Sequence, residues 1–180
     1  MTSFRFIHTA DIHLDSPLRG LAGYEGPAVE RIRTATRQAF DNLISEAIDQ
    51  KVGFVVIAGD LYDGDWRDYQ TGLFFARQMG RLAKADIPAF VLHGNHDAES
   101  QITKRLILPD SVRVFSTRKP ETFTLEELGV ALHGQSFANA MLPPTSFRHT
   151  RSRSTVSSTS AFCTPAWAAW GAMRIMHPAR

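Results

Sequence analysis

The sequence predicts an α/β fold with a mainly parallel sheet, and three observations lead to this fold class. Short apolar runs alternate with longer segments of helical periodicity along the first part of the chain. The run Phe54–Ala58 is apolar throughout, as is typical of a strand buried on both faces of a parallel sheet. Polar clusters directly follow three of the runs. The alternation favours parallel strands joined by right-handed helical crossovers.

The first part of the chain supplies three strands and two helices. The predicted strands cover residues 4–8, 54–58 and 89–92. A helix with Pro27 in its first turn is predicted over about 27–51, and Asp65 can cap the second helix. Three shorter strands are predicted at residues 112–115, 121–125 and 130–133.

Each predicted helix carries an apolar stripe. On the first helix the stripe consists of Val29, Ile32, Thr36, Phe40, Leu43 and Ala47, widened by Ile44 and Ile48. On the second helix it consists of Trp66, Tyr69, Leu73, Ala76 and Met79. We expect both stripes to be buried, because such a helix packs one face against the core.

The composition changes abruptly near Ala140. All 18 acidic residues precede this point, whereas residues 141–180 contain five arginines and 11 serines and threonines. We therefore divide the chain into a domain over residues 1–140 and a basic tail over residues 141–180. The net charge of +2 arises from the tail, so we do not interpret it as a nucleic-acid-binding surface.

Three polar clusters carry the chemistry, and each follows a predicted strand. They are Asp11-Ile12-His13, Gly59-Asp60-Leu61-Tyr62-Asp63 and Gly94-Asn95-His96-Asp97. Ligands bind beyond the carboxyl ends of the strands in an open parallel sheet, so we expect the clusters to meet in one crevice. Carboxylate, imidazole and amide oxygen favour Mn, Fe, Zn or Mg over soft metals. The sequence therefore predicts a site for divalent metal ions.

The residue types also suggest roles in that site. Asp11 and His13 are two positions apart and would point the same way in extended backbone. Asp60 follows a glycine that permits a sharp turn, and one carboxylate can bridge two ions about 4 Å apart. Asn95 can offer a carbonyl oxygen, and His96 can act as an acid or an electrostatic stabiliser. Each residue alone is more often a turn, cap or surface residue, but three clusters at three strand ends favour a shared site.

Other polar residues have weaker claims. His8 lies within a predicted strand and His93 directly follows one, which favours roles in the core or behind the ligands over direct ligation. His133 ends a later strand, and its role stays open. Asp15 and Asp97 are candidates for groups that hold the ligands from behind.

The order and spacing of these clusters resemble the first three motifs of the calcineurin-like metallophosphoesterases. These motifs are Asp-x-His, Gly-Asp-x-x-Asp and Gly-Asn-His-Asp. Residues 7–17, Ile-His-Thr-Ala-Asp-Ile-His-Leu-Asp-Ser-Pro, together with residues 59–63, are similar to the SbcD/YhaO-type branch of DNA-repair exonucleases. The resemblance covers about residues 4–140. It implies a β-sandwich flanked by helices, of which this chain would supply the first half.

The resemblance also implies cofactors and site residues. Two divalent metal ions are expected, with Mn²⁺ as the expected metal. The implied ligands are Asp11 and His13 for one ion, Asn95 for the other and Asp60 between them. His96 would be the catalytic histidine, and Asp63 would orient it.

The sequence departs from the family downstream of these motifs. A Val-Leu-His-Thr-like motif and a Gly-His-x-His pair, which supply further histidine ligands, are absent; His149 and His177 lie in no such context. Plausible codons for residues 161–170, regrouped by one base, can read Val-Leu-His-Thr. We therefore predict that residues from about Met141 onward are an out-of-frame reading of the gene, with a disordered basic extension as the alternative.

The expected function is metal-dependent phosphodiester hydrolysis at DNA ends, of the repair-exonuclease type, impaired if the domain is incomplete. The alternatives are a small-molecule phosphodiesterase or phosphatase of the same superfamily and a catalytically inert truncated product. Asp63-Gly64-Asp65 stands where the protein phosphatases have Asp-Arg-Gly, which argues against that class. Expected partners are DNA, an SMC-like ATPase subunit and a second copy of the chain.

The compartment is predicted from three further features. The chain has one cysteine, no long apolar segment near Met1 and no apolar run of membrane-spanning length. A single cysteine cannot form a disulfide within the chain, which fits a reducing compartment. We expect a cytoplasmic protein without membrane contact.

Overall fold

Strands and helices alternate as far as the third strand, and further strands follow. The computed structural model describes residues 3–16, 26–62, 69–97, 106–138 and 174–176. In chain order the elements are β1 (Phe6–Thr9), α1 (Pro27–Asp49), β2 (Phe54–Ala58), α2 (Tyr69–Lys84), β3 (Ala89–Leu92), β4 (Val112–Val114), β5 (Glu121–Leu125), a 3₁₀ turn (Glu126–Leu128), β6 (Val130–Gly134) and β7 (Arg174–Met176). The six strands predicted from the sequence are all present.

Strands β1 to β4 form a parallel sheet, sheet A, in the order β1-β2-β3-β4. Phe6 pairs with Phe54, Val55 with Ala89, and Ala89 with Val112. Helix α1 connects β1 to β2 and α2 connects β2 to β3, since parallel neighbours need a crossover. The predicted parallel sheet is confirmed, and the loops after β1, β2 and β3 leave it at one edge.

The two helices cover one face of sheet A. Val55 and Ile57 of β2 point to this face and lie in a buried cluster with helix side chains. The buried helix residues of the cluster are Phe40, Ile44, Ala47, Phe74, Phe75, Met79 and Leu82. Burial of this much apolar surface is the main force that holds the helices to the sheet.

A second sheet covers the opposite face of sheet A. Strands β5, β6 and β7 form the antiparallel sheet B in the order β5-β6-β7. Phe54 and Val56, which alternate with the helix-facing residues of β2, pack in a cluster with Val130, Leu132 and neighbours from sheet B. The layers are helices, sheet A and sheet B, which confirms the expected β-sandwich flanked by helices. Both faces of β2 are buried, as its apolar sequence predicted.

The buried face of α2 differs from the predicted apolar stripe. Tyr69 is 64% exposed and Leu73 is 44% exposed. The helix instead buries Thr71 and Gln78 beside Phe74, Phe75, Met79 and Leu82. Both polar residues are paired, Thr71 with Asp15 and Gln78 with Asp41, so their burial is not penalised. The buried face of α2 is therefore rotated about the helix axis relative to the stripe predicted from hydrophobicity alone.

Helix α1 follows its prediction more closely. It begins at Pro27 as expected and ends at Asp49, two residues early, before Lys51 adopts a left-handed φ of 49°. Phe40, Ile44 and Ala47 are buried, but Ile32 of the predicted stripe is 47% exposed. The side chain of Val29, and residues 63–68 with the proposed cap Asp65 and Trp66, lie outside the described part of the chain.

Part of the predicted tail is described as a strand. Arg174–Met176 form β7, which pairs antiparallel with β6 and places Arg174 opposite His133. No strand was predicted there, because residues 141–180 show no periodicity. That residues 141–180 are an out-of-frame reading of the gene stays a prediction. Among the described helices, none has the length and apolar character that would let it cross a membrane.

Candidate metal centre

The candidate site lies where three loops leave the carboxyl edge of sheet A. Because β1, β2 and β3 are parallel neighbours, the residues that follow them come together at this edge. The loops carry Asp11 and His13, Asp60, and Asn95 with His96, respectively. We call them the β1 loop (residues 10–16), the β2 loop (59–62) and the β3 loop (93–97).

Three of the predicted ligands lie close enough to share one metal ion. Asp11, His13 and Asp60 each offer one ligand atom, and these atoms all lie within 4.8 Å of one another. The Nε2 atom of His13 is 4.0 Å from a carboxylate oxygen of Asp11. Asp60 is only 4% exposed, whereas the side chain of Asp11 is about half exposed. Asp60 is thus the buried member of the cluster, and Asp11 is the more accessible member.

The backbone of these three residues is unusual. Asp11, His13 and Asp60 adopt left-handed φ angles of 54°, 44° and 48°. This conformation is uncommon for residues other than glycine and costs energy that the surrounding structure must supply. Such residues concentrate at functional sites. The spacing argument assumed extended backbone for Asp11 and His13, so the two side chains meet through left-handed turns and not through strand geometry.

Backbone hydrogen bonds fasten the β1 loop to the β2 loop. The N–H of Asp11 donates to the carbonyl of Gly59 at 3.2 Å, and the N–H of His13 donates to the carbonyl of Asp60 at 3.0 Å. Leu14 continues the series with a 2.8 Å bond to the carbonyl of Leu61. The two loops therefore extend the pairing of β1 with β2 beyond the strands and bring the three ligands together.

The β3 loop approaches the same carboxylate. The backbone N–H of His96 donates to Oδ1 of Asp60 at 3.2 Å. The His96 ring stands edge-on to the His13 ring, with centroids 5.5 Å apart. A Cβ atom on Gly94 would lie 2.0 Å from Oδ1 of Asp60, so only glycine permits this approach. The structure thus brings His96 to the Asp11, His13 and Asp60 cluster.

The remaining two predicted residues are less well defined. Asn95 lies in the β3 loop directly before His96 and is partly buried. Asp63 lies outside the described residues, so its predicted role in orienting His96 stays a prediction. The roles of all six site residues remain proposals.

Two further aspartates support the loops from behind. Asp97 is 1% exposed, and its carboxylate accepts hydrogen bonds from the backbone N–H groups of Leu61, Tyr62 and Gly94. Asp15 accepts hydrogen bonds from Thr71 and forms an ion pair with Arg37. The sequence identified both as candidate supports, but all their partners except Gly94 are distant in the chain and could not be predicted from it.

The electrostatics and the ligand types fit a divalent metal ion. Burial raises the pKa of Asp60, and partial burial together with the Asp60 carboxylate raises the pKa of Asp11. A cation between two such carboxylates favours their charged forms and would relieve this cost. Two carboxylates and one imidazole are typical ligands of hard and borderline divalent metals.

The other three histidines in the described part of the chain, His8, His93 and His133, do not join this cluster. Burial lowers the pKa of His8 and of His93, as expected for neutral histidines in or near the core. The backbone N–H of His93 donates to Oγ of Ser136 at 3.0 Å. His133 lies on sheet B, where its Nδ1 is 2.7 Å from Oγ1 of Thr122. These positions agree with core or structural roles for His8 and His93 and place His133 within sheet B.

The fold and the site define a metal-dependent hydrolase of phosphoester bonds. Residues 4–154 match the model of the calcineurin-like phosphoesterase family, and the chain belongs to this family. The family assignment confirms the resemblance seen in the three motifs.

Two relatives are similar to the chain in sequence. The uncharacterized metallophosphoesterase YhaO of Bacillus subtilis is 33% identical over 156 residues, which cover 84% of this chain and 38% of that protein. The DNA double-strand break repair protein Mre11 of Methanosarcina acetivorans is 36% identical over 95 residues, covering 53% of this chain and 14% of that protein. The chain therefore spans well under half the length of these relatives.

A solved structure is also similar. The nuclease MPE of Pseudomonas putida superimposes with a TM-score of 0.38 at 14% identity, covering 66% of this chain and 56% of that one.

Proposed function

We propose that this domain hydrolyses phosphodiesters at DNA ends in a metal-dependent reaction, as a repair exonuclease does. The observation that carries the proposal is the cluster of Asp11, His13 and Asp60, with His96 beside it, at the carboxyl edge of a parallel sheet. The similarity to proteins named for DNA double-strand break repair supports DNA as the substrate.

Each site residue has a proposed role. Asp11 and His13 would hold one ion, Asn95 would hold the other, and Asp60 would serve as a ligand to both. Divalent ions bound here supply positive charge that stabilises a phosphoryl transition state and lower the pKa of a water molecule. His96 donates a proton from its exposed ring to the leaving oxygen, while its backbone N–H holds the Asp60 carboxylate in place.

We propose that two ions bind and that both are Mn²⁺. The mixed set of carboxylate, imidazole and amide ligands supports a metal of this hardness. A thermal-shift series with Mn²⁺, Mg²⁺, Zn²⁺ and Ca²⁺ ranks the metals by the stability that each adds. The choice of Mn²⁺ would be contradicted if Ca²⁺ or Mg²⁺ raised the melting temperature more than Mn²⁺ does.

The proposed partners follow from the same assignment. They are DNA, an SMC-like ATPase subunit and a second copy of the chain, and the proposed compartment is the cytoplasm. The match covers 38% of the YhaO relative, so the partners and the compartment named here are proposals for the whole protein.

The origin of residues 141–180 is a separate proposal. We infer an out-of-frame reading from the change in composition near Ala140, after which the chain has five arginines, 11 serines and threonines and no acidic residue. The short pairing of β7 with β6 is compatible with either origin. Resequencing of the region that encodes residues 138–145 decides: a one-base correction should open a longer frame with a Gly-His-x-His motif. Detection of the present C-terminal peptide by mass spectrometry would show that the tail is translated.

The proposed activity is tested by comparing three substrates with Mn²⁺ present or removed. The substrates are linear double-stranded DNA, bis-p-nitrophenyl phosphate and p-nitrophenyl phosphate. Metal-dependent loss of DNA ends, with the diester hydrolysed faster than the monoester, supports the proposal. Preference for the monoester indicates a phosphatase, and absence of both metal binding and hydrolysis indicates an inert product.

A further inference from the structure

We propose that Asp97 is the positioning residue of the metal centre, because it fixes the distance between the β2 loop and the β3 loop. This inference rests on the proposed function, since those loops carry Asp60 and Asn95. Asp97 is not one of the proposed ligands and acts through the backbone N–H groups that donate to its carboxylate.

The carboxylate of Asp97 joins the two loops at three points. Its Oδ1 accepts the N–H of Tyr62 at 2.8 Å, and its Oδ2 accepts the N–H of Leu61 at 3.1 Å and the N–H of Gly94 at 2.8 Å. Leu61 directly follows Asp60, and Gly94 directly precedes Asn95. One side chain therefore fixes the backbone next to a proposed ligand in each loop.

The close contact between the loops explains why this distance matters. Gly94 leaves no room for a Cβ atom against Asp60, and the N–H of His96 reaches the Asp60 carboxylate at 3.2 Å. A shift of a few tenths of an ångström between the loops would break this hydrogen bond or cause a collision. The Asp97 carboxylate, which accepts N–H groups from both loops, opposes such a shift.

A carboxylate side chain fits the three donors. Two carboxylate oxygens offer about four lone-pair sites and no donor, which matches three converging N–H groups. In Asp97→Asn, one oxygen would be replaced by an NH₂ group that faces an N–H donor. At 1% exposure, water has no direct route to replace the lost hydrogen bond. The substitution changes few atoms but should loosen one of the two loops.

Asp41 provides a matched control. Its carboxylate also joins two elements, since Oδ1 accepts hydrogen bonds from Nε2 of Gln78 and from the guanidinium of Arg81, both at 2.9 Å. These bonds connect α1 to α2 and are not part of the loops that carry the ligands. Asp41→Asn should therefore lower the melting temperature without changing metal affinity.

The experiment measures three quantities on the full chain and its variants. Hydrogen exchange of the Leu61, Tyr62 and Gly94 amides, followed by NMR without metal, reports on the loop connection itself. Calorimetry with Mn²⁺ gives metal affinity, and thermal melts give stability. The variants are Asp97→Asn, Asp97→Glu, which keeps the carboxylate, and Asp41→Asn.

We expect Asp97→Asn to speed exchange at the three amides and to weaken Mn²⁺ binding by about 10- to 100-fold, the usual cost of losing a group that supports ligands. Asp97→Glu should recover part of the affinity, and Asp41→Asn should leave it unchanged. If Asp97→Asn does not fold, the comparison of Asp97→Glu with Asp41→Asn at matched melting temperature provides the same test.

Two results would overturn the inference, and they are distinguishable. Unchanged amide exchange and unchanged Mn²⁺ affinity in a folded Asp97 variant would show that the carboxylate does not set the loops, while the proposed function stands. Failure of the unsubstituted protein to bind Mn²⁺, even with protected amides, would remove the proposed function and with it the role of Asp97. If Asp41→Asn lowered the Mn²⁺ affinity as much as Asp97→Asn does, Asp97 would be a residue that stabilises the fold in general and not one that positions the metal centre.

Discussion

The β1 loop and the β3 loop are attached to the β2 loop between them in different ways. The β1 loop is joined by backbone hydrogen bonds, such as the 3.0 Å bond from His13 to the carbonyl of Asp60, which any sequence of suitable conformation can form. The β3 loop is joined by side chains, namely the buried carboxylates of Asp60 and Asp97. The β1 loop should therefore tolerate substitution better than the β3 loop.

A second difference strengthens this conclusion. The β1 loop is held from behind by the ion pair of Asp15 with Arg37, whose side chain is about one-third exposed. The β3 loop is held by Asp97, which is almost completely buried. Exposed ion pairs contribute little, while buried hydrogen-bonded carboxylates cost much to disturb. Four substitutions test the comparison, from the largest expected effect to the smallest.

Asp60→Asn should have the largest effect, because this carboxylate contributes to the ligand cluster and also accepts the His96 N–H. We expect no measurable metal-dependent hydrolysis of bis-p-nitrophenyl phosphate and no Mn²⁺ binding by calorimetry. Asp11→Asn, on the more exposed side of the cluster, is the comparison and should retain part of both. Normal activity in Asp60→Asn would disprove the assignment of two metals to this site.

His96→Ala should separate rate from metal binding. The backbone N–H to Asp60 remains when the ring is removed, so Mn²⁺ affinity should be retained. The rate should fall by roughly 10²- to 10⁴-fold, the scale of general acid catalysis. Steady-state kinetics at saturating Mn²⁺ provides the measurement. If the Mn²⁺ affinity fell by the same factor as the hydrolysis rate, His96 would instead be a metal ligand.

Gly94→Ala tests the close contact between the β2 and β3 loops. The new Cβ would lie 2.0 Å from Oδ1 of Asp60 and 2.5 Å from its backbone N, so the loops must separate. We expect a loss of about 1–3 kcal/mol in stability, as for other overpacked sites, and weaker Mn²⁺ binding. Gly80→Ala in α2 is the control, because nothing lies within 4 Å of its Cβ position. The free energy of unfolding of that variant, measured with urea, should rise by about 0.5–1 kcal/mol.

Asp15→Asn should have the smallest effect of the four. It weakens the ion pair with Arg37 and a hydrogen bond from Thr71, at a cost of about 0.5–1.5 kcal/mol. The backbone bonds from Asp11 and His13 to the β2 loop remain, so Mn²⁺ affinity should fall less than in Asp97→Asn. The same calorimetry and urea series measure both variants. If Asp15→Asn lowered the Mn²⁺ affinity more than Asp97→Asn does, the comparison of the two loops would be reversed.

The sequence predicted the strands and the location of the site better than the helix faces. The bounds of β2, β3 and β5 agree with the predictions because uniform apolar runs and clear alternation identify strands locally. The three loops converge because parallel strands place their carboxyl ends together. This argument needs only the order of the elements.

What the sequence could not provide depends on contacts between distant residues. The burial of Thr71 and Gln78 requires Asp15 and Asp41 as partners from elsewhere in the chain. Hydrophobicity therefore selected the exposed Tyr69 and Leu73 in their place. The three N–H donors that meet at Asp97 likewise become visible only when the β2 and β3 loops are adjacent.

The order of strands in sheet A also bears on how the chain folds. Each strand of this sheet pairs with the strand that precedes it in the sequence, so the sheet can grow in one direction as the chain is synthesised. Among the described strands, none has to insert between two that are already paired, and a chain generally folds from its N-terminal part onward during synthesis. We therefore expect the metal ligands on the first three loops to come together before sheet B has formed.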